Sequence, residues 1–288
     1  MSPEEHWGLE GAMLRSTAGI WQNWWMQLVA GLLIVAFAVL PWLWIGYEDQ
    51  AILPYTSNDA LGLLLVFSMA TLLSAFFARR VGRGGTKFAV VTDVGVVLGF
   101  IALAFQATYV LEPGLFDGDI SADSVRHLYF LGTLFVVFQI LYFLIVKLQL
   151  IAATPLVALI AVGISYWLQV VASLVSGAQS YTQYFWYAGP AVLGLVLGVL
   201  GFLKAANLLI WILSLVIQWI TPALFESAAA LGQGEERGIG NIFSTLVSGT
   251  SKAVAELEWQ GPVLVSLATA MLTSVILLIV HKARGSRY

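Results

Sequence analysis

Apolar blocks of about 20 residues, separated by short polar breaks, dominate the chain between residues 26 and 280. At 1.5 Å per residue, a helix of that length matches the roughly 30 Å hydrocarbon core of a bilayer. The blocks predict transmembrane helices near residues 26–46, 60–78, 88–111, 126–147, 150–174, 185–203, 205–225 and 262–280. The fold class expected is therefore all-α, a polytopic transmembrane helical bundle of about eight spans. Two of these spans meet at Lys204 with almost no loop between them. Were they one long helix, every later segment would change sides.

Two further stretches carry a helical pattern of a different kind. Residues 1–25 open on Ser2-Pro3-Glu4-Glu5, a capping residue followed by proline and glutamate at first-turn positions. Trp7, Leu14, Ala18, Trp21 and Trp25 then recur at helical spacing, with Glu10, Arg15 and Gln22 off that face. Tryptophan favours the headgroup zone, so an amphipathic helix on the cytoplasmic interface is expected, either lying on lipid or packed against the bundle. The opening carries three acids ahead of its first long apolar block, unlike a signal peptide, so the chain is expected to keep Met1 as its start. Residues 226–261 form the longest polar break. Glycines 232, 234, 238 and 240 predict a flexible beginning, and Ile242, Phe243, Leu246, Val247, Val254 and Leu257 then form an apolar stripe after Asn241. A second interfacial helix is expected there, on the outer face. The organisation is thus an interfacial helix (1–25), seven spans (26–225), an extracytoplasmic loop with its helix (226–261), an eighth span (262–280) and a basic tail (281–288).

Charge orients the bundle. With both termini cytoplasmic, Arg15, Arg79, Arg80, Arg83, Lys87, Lys147, Lys204, Lys282, Arg284 and Arg287 fall inside, leaving only Arg126, Arg237 and Lys252 outside. That is the asymmetry of the positive-inside rule. Most acids fall on the other side, from Glu48 and Asp49 to Glu256 and Glu258. A multi-pass protein of the cell membrane with cytoplasmic ends is expected.

Composition agrees and narrows the chemistry. Of the 288 residues, 60% are hydrophobic and 10% charged, too little polar surface for a soluble domain. The chain has no cysteine, which removes disulfides, thiolate metal sites and cysteine nucleophiles. A net charge of −3, with its basic cluster between two apolar blocks, points away from nucleic acid. His6, His127 and His281 are too scattered to share a haem or a metal. Asp117, Asp119, Ser121 and Asp123 imitate the start of a calcium loop, but Ala122 and Leu128 stand where glycine and glutamate are needed. No catalytic, cofactor or metal site is expected, and the chain is read as no enzyme.

What remains is polar chemistry inside the membrane. Asp93 is the one acid that falls within a span, about 9 Å beyond Lys87. It needs a partner, a water-filled cavity or a proton. An ion pair with Lys147, Lys204, Arg79 or Arg80 is the leading expectation, and a proton or cation relay the second. Gln106, Gln139, Gln169 and Gln218 fall on four spans. Gln106, Gln169 and Gln218 lie in the outer half and would line a polar vestibule if they converged; otherwise each bonds a neighbouring helix. Gly95 and Gly99, and again Gly194 and Gly198, form GxxxG pairs that let helices approach closely, within the bundle or against another subunit.

Two functional classes fit. One is a pore, carrier or translocation component of a membrane transport system, with Asp93 and the glutamines along the route. The other is an accessory subunit or scaffold whose glycine faces bind membrane partners or a second copy. The first predicts a polar cavity around Asp93, the second a dry bundle with an apolar groove.

Overall fold

A computed structural model describes residues 23–45, 51–53, 60–81, 86–111, 114, 118, 122–175, 177–233, 244, 247–251, 254–255 and 260–285. Its regular elements are helical throughout: α1 (Trp24–Ala38), α2 (Leu40–Ile45), α3 (Ala60–Val81), α4 (Thr86–Leu111), α5 (Ala122–Lys147), α6 (Leu150–Leu174), α7 (Thr182–Phe185), α8 (Ala188–Leu200), α9 (Ala205–Gln233) and α10 (Gln260–Gly285), with a 3₁₀ turn at Gln179–Tyr181. Among the described residues, seven helical stretches are long and apolar enough to cross a membrane, Thr182–Leu200 counting as one. This is a multi-pass membrane protein in contact with lipid.

The first expected span, 26–46, is interrupted. α1 ends at Ala38, Val39 forms a turn, and α2 begins one residue before Pro41. Proline has no N–H and its ring clashes with the preceding turn. Trp42 N therefore bonds back to Val39 O at 3.0 Å instead of reaching Ala38 O. In hydrocarbon a freed carbonyl has no water to turn to. The Trp167 indole of α6 donates to Ala38 O at 2.7 Å and occupies it.

α3 is the hub. Its neighbours are α1, α4, α5, α6 and α9, and 72% of its most apolar window is buried, against 17% for α10 at the edge. Small residues permit that crowding: a Cβ on Gly163 of α6 would lie 2.5 Å from Ser68 Cβ. Outward faces are apolar, as lipid requires. On α4, Val90, Val94, Leu98, Ile101, Phe105 and Tyr109 are all exposed at steps of three and four.

Two glycine-lined crossings build the rest. α1 packs closest on α4, where a Cβ on Gly95 would sit 2.2 Å from Leu28 O and one on Gly31 2.2 Å from Thr92 O. α8 packs closest on α10, where a Cβ on Gly194 would meet Ser266 O at 2.6 Å and one on Gly198 would meet Thr273 Cβ at 2.4 Å. Both GxxxG pairs thus lie at crossings inside this chain.

Lys204 stands in a turn between separate helices. Gly201 takes the left-handed region with φ 74°, and the Asn207 amide closes the turn by donating to Leu200 O and Gly201 O at 2.8 and 3.1 Å. α9 then runs to Gln233, two turns past the expected end at 225, so the start of the expected loop at 226 is helix. The expected helix at 1–25 lies outside the described residues except for its last three. The one expected over 242–258 is described only at 244, 247–251 and 254–255, all helical.

Candidate functional site

Three polar links join α4 to α5 where their cytoplasmic ends are expected. Moving along α4, Thr86 accepts from Lys147 Nζ, Ala89 O accepts from the Tyr142 hydroxyl at 2.7 Å, and Asp93 faces Gln139. The α5 partners descend in number as those on α4 rise, as antiparallel helices require. Asp93 is 8% exposed. With its amide nitrogen turned to the carboxylate, Gln139 donates to Oδ1 at 2.7 Å and Oδ2 at 3.2 Å; the opposite orientation would set oxygen against oxygen.

Two of the four cations expected to neutralise Asp93 go elsewhere. Lys147 reaches Thr86, and Arg79 turns its guanidinium to Ile145 O and Leu148 O. The Arg79 contacts satisfy carbonyls at the end of α5 that have no partner within the helix, and they place a positive charge at the negative end of its dipole. Thus Arg79 is taken by backbone carbonyls and Lys147 by a hydroxyl, and among the described residues the partner of the carboxylate is the Gln139 amide. The adjacent residue faces the other way: Thr92 donates to Gln27 Oε1 of α1 at 2.8 Å, both side chains fully buried. Residues 92 and 93 therefore tie α4 to two different helices.

Aromatic packing closes the space beyond Asp93. Phe67 of α3 stacks on Phe100 at 4.3 Å and on Phe138 at 5.7 Å between ring centroids, while Phe135 meets Phe67 and Phe100 edge-on at 6.4 and 6.5 Å. Phe100 lies about 10 Å beyond Asp93 along α4. Outside this cluster a 250 Å³ cleft opens between α4 and α5, lined by apolar side chains that include Ile101, Ala104 and Leu131.

The glutamines do not converge. Gln139 belongs to the Asp93 pair. Gln106 accepts from Ile52 N at 3.0 Å, beside the short segment after α2. Gln218 of α9 accepts from Ser266 of α10 at 2.8 Å. The Gln169 amide nitrogen, on α6, is buried with no hydrogen-bond partner among the described residues. α4 packs on α1 and α3, whereas α9 packs chiefly on α6, so the expected outer vestibule is not assembled from these three side chains. Tyr109 is exposed, and Tyr166 donates to Glu226 Oε1 at 3.3 Å.

Among the described residues, no group of three or more His, Asp or Glu side chains is gathered as a metal would require. The polar features the sequence left unnoticed are the Tyr142 and Thr92 links and a buried polar face on α9. The last has a visible signal, since Asn207, Trp211, Ser214, Gln218 and Thr221 recur at steps of four and three, and all are buried. No protein-family model, curated protein or solved structure matches the chain.

Proposed function

We propose that the chain is a non-enzymatic pore, carrier or translocation component of a membrane transport system, seated in the cell membrane with both termini cytoplasmic. The observation that carries this reading is the state of Asp93: a buried carboxylate on a membrane-spanning helix, bonded by an amide rather than by Lys147 or Arg79. An amide satisfies the lone pairs but leaves the formal charge uncancelled. In a low-dielectric interior that charge is costly, and a proton or mobile cation arriving from water can cancel it. The interrupted first span supports the same reading, because discontinuous helices with backbone re-satisfied by neighbours line the working sites of many transporters. The test is flux. Reconstituted in liposomes, the protein should pass protons or cations above leak level, and Asp93→Asn should remove that excess. Identical, leak-level traces would refute the conducting role.

A second reading, an accessory subunit of a larger membrane complex, is favoured by α10. Its first half packs on α8, but residues Val275 to Val280 are all exposed, a full apolar circumference. Extraction in mild detergent should then give a particle larger than the monomer, and a monomer running alone would remove this support.

A further inference from the structure

α9 is patterned inside out. Its lipid-facing side carries Leu208, Leu209, Ile212 and Leu213, all exposed, while its buried side carries Asn207, Trp211, Ser214, Gln218 and Thr221. The two ends of that polar run are satisfied within the protein. Asn207 closes the turn before α9, and the Thr221 hydroxyl donates to Ile217 O at 2.7 Å. The middle is not. Trp211 Nε1, Ser214 Oγ and Gln218 Nε2 are buried and have no hydrogen-bond partner among the described residues. Gln218 cannot be rescued by turning its amide. Ser266 Oγ lies 2.8 Å from one end of that amide and 2.9 Å from Pro190 O, so either orientation leaves the other end open.

Pro222 adds a fourth group. It lies inside α9 and has no N–H for the carbonyl four residues earlier, which is that of Gln218. The three side chains sit at positions i, i+3 and i+7 on one face, along about 10 Å of helix. Trp211 packs among Ala158 of α6, Leu193 and Leu197 of α8 and Ala270 of α10, while Gln218 meets α10 through Ser266. The polar atoms therefore share one seam, enclosed by four helices and closed to lipid.

An orphaned buried donor or acceptor is expensive, and several in one seam would favour alanine, leucine and phenylalanine in their places. Buried water is the ligand that meets this chemistry, since it donates and accepts and needs two to four polar partners. We propose that the seam between α6, α8, α9 and α10 binds buried water at more than one position along its length, against Trp211 Nε1, the Ser214 hydroxyl, the open end of the Gln218 amide and the Gln218 carbonyl freed by Pro222. Water at the Gln218 carbonyl replaces the missing rung of the helix. The site contains no ionisable side chain among these groups and is independent of Asp93 and of the transport reading.

Two buried tryptophans supply an internal comparison. Trp167 and Trp211 are 4% and 5% exposed, but the Trp167 N–H is taken by Ala38 O. Pulsed X-ray radiolysis of the full chain in lipid nanodiscs, in ¹⁸O-water with mass-spectrometric readout, generates hydroxyl radicals from bound water in place. Trp211 should be oxidised several-fold faster than Trp167, with ¹⁸O incorporated. Equal protection of the two would overturn the proposal. In Ser214→Ala/Gln218→Leu, Trp211 labelling should fall to the Trp167 level; labelling that persists while Trp167 stays protected would show that these side chains do not hold the water. The wild-type comparison stands even if the double variant fails to fold.

Discussion

The two glycine-lined crossings bring backbone against backbone by the same device, yet they differ in the polar groups beside them. At the α1–α4 crossing, Gly31 and Gly95 meet main chain on both sides, and the neighbouring Thr92 and Asp93 reach Gln27 and Gln139 on separate helices. At the α8–α10 crossing, Gly194 and Gly198 meet Ser266, Ala270 and Thr273, and the nearby groups are uncharged: Ser274 donates to Gly198 O at 3.0 Å and Ser266 bridges toward Gln218. The first crossing braces a helix that carries a carboxylate. The second holds an edge helix against a polar seam. Glycine pairs fix which helices touch, while the chemistry is set by what stands one position away.

Gly95 is the position where substitution should cost most. Gly95→Ala sets a methyl 2.2 Å from Leu28 O in a crossing joined to the central helix, so neither backbone can yield. A loss at or above about 3 kcal/mol is expected, read as lost thermal stability in detergent. Gly194→Ala meets Ser266 O at 2.6 Å, but α10 lies at the edge and can shift outward. Its cost should be smaller, about 1–2 kcal/mol. Equal losses at the two sites would dissolve the distinction between braced and edge crossings. Gly132 has nothing within 4 Å of an added Cβ, so Gly132→Ala should be neutral or stabilise by up to about 1 kcal/mol through helix propensity alone.

Tyr142→Phe sharpens the contrast from the side of the carboxylate. It removes the 2.7 Å bond to Ala89 O while keeping the ring, whose centroid lies 5.2 Å from that of Phe143. About 1 kcal/mol should be lost, measured by the same unfolding assay. Flux in liposomes should fall with it if the α4–α5 link positions Asp93, and remain at the wild-type rate if the link is only structural.

Much of the fold was legible because hydropathy reports on lipid directly. The expected spans at 60–78, 88–111, 126–147 and 150–174 lie within α3, α4, α5 and α6, because long apolar runs in a bilayer have helix as their one open form. Failures came where one residue overrides the average. Pro41 is plain in the sequence, but a window that scores 26–46 as apolar counts it as one residue among many, whereas the backbone loses a rung there. Averaging likewise hid the polar face of α9, which the steps from Asn207 to Thr221 display once the residues are placed on a wheel. The partner of Asp93 was harder. Lys147 and Arg79 were within reach along the chain, and only the assembled helix ends show that Thr86 and the carbonyls of Ile145 and Leu148 take them first. Which partner a side chain takes is decided between helices, and one sequence carries no such pairing.

The proposed exchange of charge between Asp93 and mobile ions rests on its contact with the Gln139 amide. Infrared difference spectra of the reconstituted protein across an acid titration, taken against Asp93→Asn, test this most directly. A protonated-carboxyl C=O band should appear on acidification, be lost in Asp93→Asn and shift in frequency in Gln139→Leu. A spectrum with no carboxyl band assignable to Asp93 at any pH, as for a carboxylate locked in an ion pair, would contradict it.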